Sequence, residues 1–297
     1  MIKNDTAILQ HFVEEWEREI VQYVEKYRDN MTARNILEQR KVGEDVSIDV
    51  VQKFDRTGPG AQIVAKGSVP DSMGVKSETV KHDIFQIATG FWLNAKDLKL
   101  SPSTKNRLVD ISMRDIHRAE DDFALNGNTS LNIKGIVAAA QANSNGKIVA
   151  SGASGNDTNN KGAWSGETGT DIYDDINTAI GKMDEDFEPA YLLGCREDLL
   201  YLNRMDSERK PYYHDIAGLF GAKNEKDKSW IWTSKYISSG KVYLIPKDFL
   251  AAELVISENP KIIEYPMSPG QNYWIELAEW VVPEMHQVDA FVEIATT

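Results

Sequence analysis

Cysteine is nearly absent from this chain. Cys195 is the single thiol among 297 residues, which excludes an intrachain disulfide and any cysteine-rich zinc site. Long apolar runs are missing too, and none approaches the roughly 18 residues that a membrane-crossing helix needs. The opening M-I-K-N-D-T-A-I-L-Q lacks the apolar core of a secretory signal. These two absences predict a cytoplasmic product. Basic charge is scarce: 33 Lys and Arg face 46 Asp and Glu, a net charge of −13. A protein whose main task is to grip nucleic acid needs a basic face, so that class is excluded. A container that encloses nucleic acid without holding it tightly is not. The same charge keeps copies apart until specific contacts form.

Signatures of catalysis are also lacking. There is no G-x-S-x-G elbow, kinase signature or G-x-G-x-x-G. The five histidines, His11, His82, His117, His214 and His286, offer no metal-binding pair at i, i+3 or i, i+4. His117 falls among Arg114, Arg118 and Glu120, which predicts a surface or interface histidine. Asp184, Glu185 and Asp186 read as a solvated loop rather than a cation site. Cys195 with His214 is the one conceivable nucleophile pair, but a small cysteine at the end of an apolar strand is an ordinary core residue. The loop G-P-G-A-Q-I-V-A-K-G is not a phosphate loop, because no helix follows it. No catalytic residue, cofactor or metal ligand is expected, and the chain does not read as an enzyme.

What the chain does have is a long charged helix at its centre. Ser101 or Ser103 can cap it, and Pro102 suits its first turn. Leu108, Ile111, Ile116, Ala119 and Phe123 recur at helical spacing, with Arg107, Asp110, Arg114, Arg118, Asp121 and Asp122 on the other faces. Asn126-Gly127 ends it. Such a rod, with charge around most of its circumference, predicts a spine on a surface or between subunits.

Around this spine lie weaker signals. Residues 6–30 carry an aromatic stripe, Leu9, Phe12, Trp16, Ile20, Tyr23 and Tyr27, which predicts an amphipathic helix. Residues 31–80 are punctuated by Gly58, Pro59, Gly60, Gly67, Pro70 and Gly74. They read as an extended two-stranded excursion that needs another surface to lie on. Residues 143–170 are a Gly/Ser/Asn-rich loop anchored by Trp164. From 170 to 255 helix and strand alternate, and the chain closes in two antiparallel strands around Pro283.

In their order, these elements resemble the Hong Kong 97-type shell proteins, the tailed-virus major capsid proteins and encapsulins. The residues that carry the likeness are F-D-R-T-G-P-G-A-Q-I-V-A-K-G in the excursion, H-D-I-F-Q-I-A-T-G-F-W-L-N-A-K-D-L before the spine, and R-A-E-D-D-F-A-L-N-G with I-K-G-I at its end. A-Y-L-L-G-C-R-E-D-L-L-Y-L and W-I-E-L-A-E-W-V-V-P-E-M complete it.

The resemblance implies an α+β fold. Its parts are an N-terminal helix and arm (1–45), an extended loop (46–88), a peripheral domain with the spine helix (89–132 and 266–297) and an axial domain (133–265). It implies many copies closing into an icosahedral shell, most simply a viral or proviral capsid around double-stranded DNA. Scaffold and portal proteins would then be partners, no membrane would be involved, and the location would be the virion after assembly in the host cytoplasm. An encapsulin nanocompartment around a cargo enzyme is the alternative, and an α/β enzyme with an oligomerisation arm a more distant one. Interface residues implied by position are Trp16, Arg56, Lys66, Lys76, Arg107, Arg114 and Arg118.

Overall fold

The computed structural model describes residues 18, 31–43, 48–57, 74–93, 102–143, 147–149, 164–166, 169–205, 209–265 and 273–296. The expected helix over 6–30, with Trp16, lies outside the described residues save for Arg18, a helical position. Most of the 143–170 loop lies outside them as well.

Two sheets organise the molecule. The first has four strands in the order β1 (Glu38–Lys41), β11 (Ala252–Tyr265), β12 (Tyr273–Met285), β4 (Phe85–Leu93). β1 runs parallel to β11, and the other pairings are antiparallel. The second has five strands in the order β7 (Lys147–Val149), β13 (Val292–Ala295), β10 (Lys241–Pro246), β8 (Pro189–Gly194), β9 (Ile231–Thr233). β2 (Ile48–Thr57) and β3 (Gly74–Asp83) form a separate antiparallel hairpin, with Thr57 opposite Gly74 at its far end.

The sheets interleave along the chain. β11, within 133–265, pairs with β12 and β1 in the four-stranded sheet. β13, within 266–297, pairs with β10 in the five-stranded sheet. Two short connections therefore cross between the sheets, β10 to β11 and β12 to β13. They lie against each other: the Ala251 carbonyl accepts the backbone N–H groups of His286 at 2.9 Å and Gln287 at 3.2 Å. Within β11 the register with β12 slips between Glu258 and Lys261. Pro260, which has no N–H to give the ladder, falls inside that slip.

The spine is α2, Pro102–Asn126, 25 residues and about 38 Å long at 1.5 Å per residue. Pro102 stands at its first helical position, where a missing N–H is harmless. Gly127 ends it at φ +71°. A Cβ on Gly127 would lie 2.4 Å from the Ile133 carbonyl oxygen and 2.5 Å from the Gly135 nitrogen. The two-residue strands β5 (Gly127–Asn128) and β6 (Ile133–Lys134) close tightly there for that reason.

One large core runs beneath both sheets. It joins α1 (Thr32–Ile36), the end of the spine, α3 (Ile136–Ala142), α4 (Gly169–Ile180) and the inner strands, through residues such as Ile36, Leu125, Ile136, Ile176, Leu192, Leu244, Leu254, Val281 and Phe291. Trp164 is fully buried in it. Its Nε1 donates to Asp175 Oδ2 at 3.0 Å, and its backbone N–H donates to the Thr296 carbonyl at 3.1 Å. A smaller cluster of Ile84, Ile133, Val255 and Val282 adds a second centre.

Candidate assembly interface

The spine presents a different apolar stripe from the one its composition predicts. Ile111 is 44% exposed and Ala119 is exposed. The buried face is Val109, Ser112, Met113, Ile116, His117, Glu120, Ala124 and Leu125. That face carries charge, because charged partners await it across the packing surface. The outward stripe is Arg107, Ile111, Arg114 and Arg118, at spacings of four, three and four. Arg118 pairs with Asp115 at 3.5 Å, both side chains 52% exposed. An exposed pair of this kind contributes only a few tenths of a kcal/mol. These arginines are therefore free to meet something else.

His117 corrects a second expectation. It is 8% exposed, not a surface histidine. Burial pushes its pKa down to about 4, with Arg34 adding to the effect and Glu120 opposing it. It stays neutral through the physiological range.

Beneath the spine lies a cluster of charges. The Arg34 guanidinium, from α1, meets the Glu120 carboxylate: Nε is 2.9 Å from both oxygens and Nη2 is 2.6 Å from Oε2. The same Nη2 reaches Glu279 Oε2, on β12, at 2.7 Å. All three residues are buried. Burial lowers the guanidinium's proton affinity, but the two carboxylates outweigh it and hold Arg34 above its usual range. Burial and then Glu120 push Glu279 well above the usual carboxylate range, against the pull of Arg34. Beside them, Asp121 accepts the Ala33 N–H, and burial raises its carboxyl to about 6.

The sequence reading missed this cluster, although a signal existed. Glu279 shares the parity of Ile275, Leu277 and Val281, all buried; a carboxylate in phase with an apolar face needs a buried partner. Glu120 sits four residues from both Ile116 and Ala124, likewise on the buried face.

The hairpin carries two of the expected interface residues. Arg56 stands opposite Val75, and Lys76 opposite Asp55. Lys66, like Trp16, lies outside the described residues.

The candidates for chemistry are dispersed. The Cys195 thiol donates to Asp198 Oδ2 at 3.1 Å, and the same oxygen accepts the Gly240 N–H at 2.8 Å. His214 stands edge-on to Tyr213 and 3.9 Å from Glu225. Neither interaction joins cysteine to histidine. Asp184 and Asp186 share a turn in which the Asp186 N–H donates to Asp184 Oδ1 at 3.0 Å. Among the described residues, one trio of possible metal-ligating groups converges, Glu253, Glu284 and His286. Arg40 occupies that corner, with Nε 2.9 Å from Glu253 and Nη2 3.5 Å from Glu284. Burial pushes Glu253 up, but the His286 hydrogen bond and the Arg40 charge hold it below the usual range. A guanidinium already supplies the positive charge a cation would bring. No helix of the described residues is long and apolar enough to cross a membrane.

No protein-family model matches the chain, and no curated protein sequence does. Solved structures do. The virus-like particle from Pyrococcus furiosus aligns at a TM-score of 0.64 and 11% identity, covering 95% of this chain and 99% of that one. The capsid of the Myoviridae phage XM1 aligns at 0.60 and 10% identity, covering 90% and 92%. The holo-SrpI encapsulin complex from Synechococcus elongatus aligns at 0.57 and 11% identity, covering 89% and 86%. The fold is therefore the α+β Hong Kong 97-type fold of capsids and encapsulin shells. At these identities the likeness carries the architecture and not the residues of any interface.

Proposed function

We propose that this chain is the repeating subunit of a closed icosahedral shell, and that the shell is a viral or proviral capsid enclosing double-stranded DNA. The end-to-end likeness to shell proteins, with about nine-tenths of both chains covered for the phage capsid, supports this reading most. The spine and the four-stranded sheet form the peripheral domain, and the five-stranded sheet forms the axial domain. The β2–β3 hairpin is the extended loop. A two-stranded ribbon is marginal alone, so it lies on a neighbouring copy, with Arg56, Lys76 and the intervening Lys66 at the contact. Arg107, Arg114 and Arg118, grouped about Ile111, meet acidic surface on another copy, which a chain of net charge −13 supplies. Trp16 docks the arm. Packaged genome, scaffold and portal proteins are the remaining partners, and the mature location is the virion.

An encapsulin compartment holding a cargo enzyme in the cytoplasm is the second reading, favoured by the encapsulin alignment. Sedimentation and electron microscopy of the full chain test the shell: closed particles are expected, and a monomer or dimer under every condition tried overturns it. The contents of particles purified from their natural source separate the two readings. Nuclease-protected DNA is expected; a stoichiometric enzyme inside DNA-free particles replaces the capsid with the compartment.

A further inference from the structure

The buried cluster of Arg34, Glu120 and Glu279 holds two carboxylates against one guanidinium, all within hydrogen-bond distance of it. If both carboxylates are ionised the cluster carries a net negative charge in a buried site, a strongly unfavourable arrangement. Among the described residues the surroundings offer no second cation. On β4 the register partner of Glu279 is Ile87. On β11 the facing stretch is the slip between Glu258 and Lys261, and those two pair with each other. From the spine, His117 is neutral above about pH 4, and Asp121 adds a further negative charge above about pH 6. Among the described residues, Arg34 is the one cation acting on Glu279. Glu279 Oε1 also finds no hydrogen-bond partner there. A buried oxygen left in that state is the natural seat of a proton, which Glu120 can then share.

We propose that the Glu120–Glu279 pair is a proton-operated latch that fastens the root of the N-terminal arm to the wall of the molecule. With one proton held between the two carboxyls, the charge of Arg34 is matched, and α1 is clamped to the spine and to β12 at once. Loss of that proton leaves an unmatched buried charge, which is relieved when water reaches the two carboxylates, as it does once α1 opens. The raised pKa of Glu279 has the same sign: stability is present below the ordinary carboxylate value and lost as pH rises through the raised one. The latch belongs to the single chain, so it stands or falls independently of whether the chain closes into a shell.

Amide hydrogen exchange of Thr32–Leu37 in the full chain tests the latch, after correction for the intrinsic effect of pH. Protection in the wild type is expected to fall about tenfold or more between pH 4.5, the ordinary carboxylate value, and pH 9, a change that one unit of pKa displacement supplies. Glu279→Gln, which imitates the protonated carboxyl, should stay protected at both values. A flat wild-type profile, or an undiminished slope in Glu279→Gln, overturns the latch. Should that variant fail to fold, infrared spectroscopy of the wild type decides: a buried protonated-carboxyl band that disappears together with α1 protection upholds the proposal, and a band and a protection that are lost at different pH overturn it.

Discussion

Asp121 on the spine accepts the backbone N–H of Ala33 at 2.8 Å, so the first turn of α1 is capped by a residue 88 positions away. The residue just before α1, Met31, has no side-chain cap of its own to offer. The Ala33 N–H of that five-residue helix thus finds this acceptor only when the spine is in place. Asp121→Ala should cost about 1 kcal/mol in urea denaturation. Asp121→Asn keeps the acceptor and should cost less. Because burial raises the Asp121 carboxyl from 3.8 to about 6, its contribution is present below the lower value and lost as pH rises through the upper. Relative to wild type, Asp121→Asn should therefore gain stability between pH 4 and pH 6.

His117 works in the opposite direction. Its pKa falls from 6.5 to about 4 on burial, so its contribution is full above 6.5 and is lost as pH falls toward 4. Replacement by Gln should remove an acid-side loss on the order of 2 kcal/mol. Thermal melts at pH 7 and pH 4.5 check this: the variant should lose less stability than wild type on acidification.

Removing Arg34 tests how far the cluster depends on its cation. Arg34→Met leaves Glu120 and Glu279 buried without a countercharge and should cost about 3–5 kcal/mol. Adding Glu279→Gln to that variant should return part of the loss, measured as the urea midpoint. Additive losses in the double variant would contradict the shared charge.

At Gly127 the conformation, not the space alone, is decisive. Its φ of +71° and the 2.4 Å approach to the Ile133 carbonyl leave no room for a Cβ. Gly127→Ala should destabilise by roughly 1–3 kcal/mol from backbone strain alone. A calorimetric melt within a degree of wild type would show that this turn yields more easily.

The exposed arginines should affect assembly and not folding. Arg114→Glu or Arg118→Glu should move the melting point of the isolated subunit little, since an exposed ion pair contributes about 0.5 kcal/mol. The yield of closed particles, counted by electron microscopy, should drop several-fold. Normal particles with a collapsed melting point would reverse the assignment.

The order of elements was legible in the sequence because it rests on local signals. Pro102 and Gly127 mark the two ends of the spine, and the parity of Ile275 and Leu277 marks β12. What could not be read is set by partners distant in the chain. Ile111 fits a helical apolar pattern as well as Met113 does, and only the packing of β4 and β12 decides which one faces inward. His117 and Glu120 look like surface residues until Arg34, 86 positions before Glu120, arrives and brings in Glu279, 245 positions from Arg34 itself. β11 follows β10 so closely that a shared sheet is the natural guess, yet Ala252 pairs with Met285 instead.

The crossings that meet at Ala251 have a mechanical consequence. Pro246 to Ala252 and Met285 to Val292 are the two covalent tethers between the sheets that follow β10, and the carbonyl of Ala251 ties one to the other. Tension that draws the sheets apart is divided between both tethers, and neither can lengthen without dragging its neighbour. The joint therefore behaves as a doubled strap, and cutting one tether would shift its share onto the other and onto the longer route through the spine.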